Sequence, residues 1–517
     1  MNEPEEATLR SPLQLELSTV DDPRVIKRQL QEEYTNHAVP TTARLGKWGI
    51  FSGWSSIASA MAFVYYGALS ASLVGVQQAL IGIVLTVIVY SVLGTKSARE
   101  AIRWGLNSTL LSRELFGFRG AALAPLLVAS AGVYYAVFES SVLAVALQSY
   151  FQVWDIRVWY AIVIAGMLPL MLGGMQTWLN KLNGISLPVY FFGLLAAVVA
   201  AGMRFGWAGD WSAFGPAASA TVIPGWLTVF VLYMGVWILF PDTQDAARFG
   251  RGTDSKFHER VSFGWVFYLI AYLFNGLVGI FIVALAAPQD SVTESGVVHG
   301  VIGALGVVGL IVIIVSQVRI NSANFYFASV NMERFAAHFS RRNLSRRTWV
   351  IVLLVVVFVL MFTDVFSYIA IALAWQAVLV VSWVGIMIVH WLLDRHKEPE
   401  FRPARLRAVA PGFGVWVASS AVGITLLQLP AQLPVLSALA PLVSLAASSL
   451  LYWAVRAAGL SAGKPVGADP VRAQVQDVWG TRIKCSGCTL NYVAFEMDTA
   501  RSGDHPLCLD CQSRDRS

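Results

Sequence analysis

About twelve apolar stretches run through the chain, and polar residues are largely confined to the gaps between them. A bilayer core takes roughly 20 apolar residues per helical span. Stretches of that size begin near Gly49, Leu73, Ala121, Val158, Ile185, Val222, Val261, Val298, Trp349, Phe366, Pro411 and Val435. The pattern predicts an all-α polytopic membrane protein with about twelve transmembrane helices set in a lipid bilayer. Composition agrees: 56% of residues are hydrophobic, 13% are charged and the mean hydropathy is +0.62. A soluble domain with so few charges would struggle to stay in solution.

The gaps are not alike. Lys96, Arg99, Arg103, Arg113 and Arg119 follow the second stretch, and Arg248, Arg251, Lys256 and Arg260 follow the sixth. Arg334, Arg341, Arg342, Arg346 and Arg347 follow the eighth, and Arg395, Lys397, Arg402, Arg405 and Arg407 the tenth. The alternate gaps hold little beyond Arg157 and Arg204. Lys and Arg in short loops stay on the cytosolic side. The basic gaps, and with an even span count both termini, are therefore expected in the cytosol, at an inner or plasma membrane. The net charge of +6 follows mainly from this bias, so no nucleic-acid partner is expected.

Residues 1–47 are polar and mixed in charge, without the basic and apolar blocks of a signal peptide. They read as a disordered cytosolic tail. Residues 48–394 read as a ten-helix core, 395–458 as two further transmembrane helices and 459–480 as a Gly- and Pro-containing linker. Residues 481–517 form a separate small module.

That module holds all four cysteines, Cys485, Cys488, Cys508 and Cys511, as C-x-x-C, nineteen residues, C-x-x-C. Two such pairs can set four thiolates tetrahedrally around one Zn²⁺. In a reducing cytosol, disulfides are the poorer reading. A zinc-ribbon-like module with a structural Zn²⁺ is expected, with Tyr492, Val493, Phe495 and Met497 as its apolar cluster. A closed four-cysteine site leaves no open position for catalysis. Docking to a cytosolic protein partner, regulation or stability are its expected roles.

Polar groups at membrane depth are costly and mark pathways. Glu139 lies deep in the third stretch, where an ionised carboxylate costs about 2.5–3.5 kcal/mol. It reads either as a proton carrier or as a neutral structural group, and Tyr135 shares its helix face. Tyr134 is next to it. In the eighth stretch Gln317, Asn321 and Asn324 fall at i, i+4 and i+7, a stripe of amides suited to an amide-bearing ligand or to interhelical hydrogen bonds. Arg319 sits among them and is expected to snorkel towards the cytosol. Tyr233 and Trp237 flank Gly235 in the sixth stretch. Ser56 and Ser59 lie in a small-residue run of the first, where local unwinding exposes backbone carbonyls. Gly303, Gly306 and Gly309 read as a helix-packing face of the eighth stretch. His299 and His390 are isolated, and no nucleophile–base set or paired carboxylates lie within the spans, so no enzyme is expected.

The segment Leu110–Gly120, LLSRELFGFRG, resembles a turn of the nucleobase–cation symporters of the purine–cytosine permease type. Lys181-Leu182-Asn183-Gly184, the run Asp245 to Arg251 and the Asn321–Tyr326 segment resemble that family in the same order. The resemblance implies a five-plus-five inverted-repeat transporter fold with two extra helices. It also implies alternating access around a midplane site from spans one, three, six and eight, and a planar substrate of the cytosine, purine, allantoin or hydantoin kind. Ser56, Ser59, Tyr134, Tyr135, Tyr233, Trp237, Gln317, Asn321 and Asn324 are then the substrate-site candidates, and Glu139 and Arg319 the ion-coupling ones. Two departures matter. Tyr134 and Tyr135 stand where the family often has Trp, and Arg319 falls near the place of a coupling sodium. The expected function is secondary transport of such a heterocycle, coupled to H⁺ or Na⁺. An amino-acid or amine transporter on the same fold and a membrane sensor signalling through the cysteine module remain alternatives.

Overall fold

Two of the apolar stretches do not make continuous helices, and both breaks have local causes. The computed structural model describes residues 13–515 except 32, 173–174, 208–210, 218–220, 287–293, 340–343, 364, 396, 461–468 and 501–504. After α1 (Pro23–Gln31), the first stretch forms α2 (Lys47–Trp54) and α3 (Met61–Val74), bent by 41°. Between them the hydroxyls of Ser55, Ser56 and Ser59 donate to carbonyls three residues back, at 3.1, 2.7 and 2.6 Å. Such local bonds compete with the helical ladder.

The chain continues through α4 (Val76–Trp104), α5 (Ser108–Phe116), α6 (Leu123–Phe151), α7 (Ile156–Leu172) and α8 (Met175–Phe205). The sixth stretch is again split, into α9 (Gly225–Met234) and α10 (Leu239–Ala247), bent by 45° across Gly235. Then come α11 (Gly252–Leu285), α12 (Glu294–Leu305), α13 (Val307–Phe339), α14 (Arg346–Leu360), α15 (Val365–Leu393), α16 (Pro411–Leu427) and α17 (Ala440–Ala457). Among the described residues seven helices are long and apolar enough to cross a membrane, or up to nine if each bent pair is one span.

The expected eighth span is shorter at its start. Gly306 takes φ +60° and turns the chain between α12 and α13. Gly309 lets the two helices close on each other: a Cβ there would lie 2.6 Å from the Val301 carbonyl. Nothing lies within 4 Å of a Cβ at Gly303. Of the glycine triplet, Gly306 makes a corner, Gly309 packs against α12 as expected, and Gly303 does not take part in the packing.

Close helix crossings hold the bundle. A Cβ on Gly67 of α3 would fall 2.2 Å from Gly276 Cα of α11, and one on Gly279 would fall 1.9 Å from the Val64 carbonyl. Small residues serve this end in membranes, where there is no hydrophobic drive between helices. Helices α6 and α13 also cross closely, a Cβ on Gly132 falling 2.9 Å from the Asn324 carbonyl.

The N-terminal segment is not a disordered tail in its described part. Strand β1 (Leu17–Ser18) pairs antiparallel with β2 (Arg482–Lys484), which pairs with β3 (Asn491–Val493), Leu17 lying opposite Ile483. Strands β4 (Asp498–Thr499) and β5 (Pro506–Leu507) form a second hairpin before α18 (Leu509–Asp515). Val25 is buried with Ile483, Tyr492 and Met497 in one core. The segment looked disordered because the surface it covers lies more than 450 residues away in sequence. The expected linker also differs: 461–468 lie outside the described residues, but Val471 is fully buried and Asp469 pairs with Arg402 at 2.6 Å.

Candidate substrate site and four-thiol centre

Three broken or polar elements converge inside the bundle. From α13, the Ser316 hydroxyl donates to the Ser59 carbonyl at the first break, and Asn275 of α11 donates to the Ala58 carbonyl at 2.8 Å. On α6, Glu139 is buried and its Oε1 accepts the amide of Ala62 at 3.4 Å, in the first turn of α3. Exposed carbonyls and amides at a helix break are thus met by side chains from neighbouring helices, as membrane-depth backbone requires. The hydroxyls of Ser56 and Ser59 donate to their own backbone and so shape the break.

The amide stripe on α13 is split in use. Asn321 donates to Ser140 Oγ of α6 at 3.3 Å, an interhelical bond. Gln317 is fully buried, and neither its amide nitrogen nor its oxygen has a partner among the described residues. A bare buried amide is costly. The Asn324 side-chain nitrogen is likewise unpartnered. Arg319 does not snorkel. It is 2% exposed, and its guanidinium donates to Ser55 Oγ at 2.8 Å at the end of α2. Its α13 position places it over the broken helix instead of the interface.

Aromatic rings fill the other side. Tyr135 stacks edge-on with Tyr134 at 5.2 Å, and its hydroxyl accepts from Gln376 of α15 at 3.1 Å. Gln376 also donates to the Gly235 carbonyl at the second break, at 2.8 Å. Tyr66 of α3 lies edge-on to Tyr233 at 6.1 Å. Tyr233 and Trp237 are buried, and the Tyr233 hydroxyl and Trp237 indole N–H have no partner among the described residues. Trp237 packs edge-on against Tyr90 and Phe240. The sequence reading missed Tyr66 and Gln376. Gln376 was findable as the one amide of an apolar span; Tyr66 was hidden as one of two adjacent tyrosines.

The fold has counterparts among solved structures. The chain is similar to Mhp1, a nucleobase-cation-symport-1 family transporter in a closed conformation with bromovinylhydantoin bound: 16% identity, TM-score 0.61, covering 85% of this chain and 97% of that one. Against the inward-facing conformation of Mhp1 the TM-score is 0.65 at 18% identity, over 81% and 93% of the two chains. A Na⁺-coupled sialic acid symporter in a substrate-bound outward-open state aligns at TM-score 0.58 and 12% identity, over 85% and 94%. This chain has the fold that these transporters share. No protein-family model and no curated protein sequence matches the chain.

The transporter fold carries a second centre at the chain's end. The four cysteine sulfurs lie within 4.8 Å of one another, with Cys488 and Cys508 3.9 Å apart and no disulfide formed. A tetrahedron with Zn–S of about 2.3 Å has edges of about 3.8 Å, so the spacing fits a tetrathiolate ion. Gly487 leaves room for it: a Cβ there would lie 2.9 Å from Cys511 Sγ. The knuckle closes by Thr489 N–H to the Cys485 carbonyl at 2.8 Å, with Thr489 at φ +62°. Tyr492 and Met497 line the module's interior, whereas Val493 and Phe495 face the bundle, where Phe495 stacks on Trp104 and Trp479.

The basic residues near the module are structural ties. Arg405 pairs with Asp498 at 2.8 Å, Arg113 donates to the Phe401 carbonyl at 3.2 Å, and Arg248 donates to the carbonyls of Glu33 and Tyr34. Arg334 is not in a loop; it is buried in α13 and paired with Asp245. Arg341 and Arg342 lie outside the described residues. His390 is not isolated, since Glu114 and Asp394 both lie 3.4 Å from its ring nitrogens. The module's large contact faces are taken up by this chain's own N-terminal segment and bundle, which leaves the expected separate protein partner without support. Buried His37 joins segment to module. It stacks on Tyr492, its Nδ1 lies 3.0 Å from Glu496 and its Nε2 3.6 Å from Asp510. Burial opposes its charge, but the two carboxylates win and raise its pKa to about 10.

Proposed function

We propose that the chain imports a planar nucleobase-like heterocycle, of the cytosine, purine, allantoin or hydantoin type, by alternating access between the two broken helices. The observation that carries this reading is Gln317: a fully buried amide whose donor and acceptor are both open, beside the first break. A heterocycle edge with an adjacent carbonyl and N–H would complete both bonds. Tyr233, Trp237, Tyr135 and Tyr66 supply ring faces for a flat ligand, and Asn324 a further donor. The hydantoin named in the Mhp1 structure is consistent with that class.

In this reading Arg319 holds a fixed positive charge at the end of α2, where a coupling sodium would otherwise sit, and coupling is to protons. Glu139 steadies the start of α3. The basic face of the protein, with both termini and the module, lies in the cytosol of a cell membrane. The four thiols hold a structural Zn²⁺.

The test is a thermal-shift screen of the purified protein with nucleobases, allantoin, hydantoins and amino acids, followed by uptake of the hits in proteoliposomes. Stabilisation by a heterocycle and its saturable uptake are expected. A shift with amino acids or amines alone would replace this reading with the rival transporter, and binding without uptake would favour a sensor.

A further inference from the structure

Two carboxylates share the half-helix α10, and their surroundings are opposite. Asp245 accepts from the Ser108 amide and hydroxyl at 2.9 and 2.7 Å, from Asn331 at 3.2 Å and from Arg334. It is fully clothed in donors and remains an anion. Asp242, one turn earlier, is 7% exposed; its Oδ1 has no hydrogen-bond partner among the described residues. It sits in the first turn of α10, just past the second break.

Among the described residues no cation pairs with Asp242: Arg334 is paired with Asp245, and Arg248 at the end of α10 is held by the carbonyls of Glu33 and Tyr34. On α10 itself the neighbour is the Asp245 carboxylate, and Tyr135 of α6 and Tyr268 of α11 are within electrostatic reach. Helix α4 presents Tyr90 and Ser97, the latter donating to the Phe240 carbonyl at 2.8 Å. Cations on the packed elements are engaged elsewhere. Lys96 pairs with Glu100, Arg99 with Glu259, and Lys47 of α2 lies over the Trp48 and Phe257 rings. Arg113 of α5 holds the Phe401 carbonyl, and Glu114 faces His390. Arg44 holds the carbonyls of Val39 and Ile102.

We propose that Asp242 is the proton-binding site of the transporter, carrying a proton while the break is closed around it and releasing it when the cytosolic side opens to water. An unpaired carboxylate in such a place is stable only in its neutral form. The neighbouring anion Asp245 keeps it so, because two close carboxyls divide the work of charge and proton. When water enters between α10 and α4 the neutral form loses its advantage and the proton leaves. Position adds to the argument: Asp242 lies five residues after Trp237, so loss of its proton would change the charge at the base of the substrate site. Glu139 differs in that its Oε1 already has a fixed structural task at Ala62.

This inference rests on the transport reading only for its second test. The first is made without substrate. Infrared difference spectra of the protein in lipid vesicles, stepped from acidic to alkaline pH, should show the C=O stretch of a protonated carboxyl at neutral pH. The band should vanish in Asp242→Asn and survive in Asp242→Glu and Glu139→Gln. An unchanged band in Asp242→Asn overturns the proposal. In the second test, Asp242→Asn should retain counterflow exchange of the transported heterocycle and lose accumulation driven by a pH gradient. Gradient-driven accumulation by that variant also overturns it. Failure of the wild type to move any heterocycle removes the substrate reading and leaves the infrared result to decide Asp242.

Discussion

The guanidinium of Arg319 donates to Ser55 Oγ at 2.8 Å and to the Ser52 carbonyl at 3.4 Å, so a side chain of α13 caps the last turn of α2 with a positive charge. The C-terminal end of a half-helix carries a partial negative charge and free carbonyls. In the proposed reading Arg319 stands there in place of a cation from solution. Substrate uptake should therefore be equal in sodium and in choline at one ionic strength. Stimulation by sodium would remove Arg319 from this role. Arg319→Ala should cost about 1–3 kcal/mol by baring buried groups, read as a lowered melting temperature.

Gln317→Leu separates binding from folding. Leucine removes a buried amide without partners, so the substrate-free protein should be as stable as the wild type or more so. Heterocycle affinity should fall by about tenfold to a hundredfold, the loss of about 1–3 kcal/mol of hydrogen bonding. Titration calorimetry checks both the loss and its size. Unchanged affinity would take Gln317 out of the site.

Gly279→Val tests the crossing of α3 and α11. A Cβ at Gly279 would overlap the Val64 carbonyl at 1.9 Å, and backbone cannot give way as a side-chain tip can. Overpacking of this kind costs about 1–3 kcal/mol or more. Helix separation should also disturb Ala58 and Asn275 at the first break. The variant should lose thermal stability and substrate binding together, in contrast to Gly303→Ala, which meets nothing.

If the four thiols hold zinc as proposed, its removal should be felt at the opposite end of the chain. One zinc per chain is expected by elemental analysis. Chelation, or Cys508→Ser, should loosen β2 and β3 and with them β1, so that trypsin cuts at Arg24 or Lys27. Resistance of those bonds in metal-free protein would show that the segment holds without the thiol centre.

The same junction should respond to alkali. His37 binds its proton more tightly in the fold, at about 10, than at its ordinary 6.5. Its contribution is therefore complete below about pH 6.5 and is lost as pH rises towards 10. Proteolytic protection of the segment should weaken over that window. His37→Gln should flatten the profile, and an unaltered profile would assign the pH response to other groups.

The membrane spans were legible because each declares itself locally as an apolar run, and the transporter fold was implied by the resemblance of Leu110–Gly120 and the segments after it. Ser55 to Ala60 and Gly235 were visible as interruptions of small or polar residues, and so was the Gln317 stripe. What the stripe's members do was not visible, since Asn321 and Gln317 differ only in whether Ser140 of another helix comes within reach. Asp242 and Asp245 looked alike for the same reason: the difference is made by Ser108, Asn331 and Arg334, each from elsewhere in the chain. Residues 13–31 were misread because a short strand with a few leucines looks polar on average, and its partner lies at the far end.

The pairing of Leu17 with Ile483 also sets a timetable. During synthesis β1 emerges first and must wait, unpaired, until every membrane helix and then β2 have been made. A chain that stops before β2 therefore lacks the partner of its first strand.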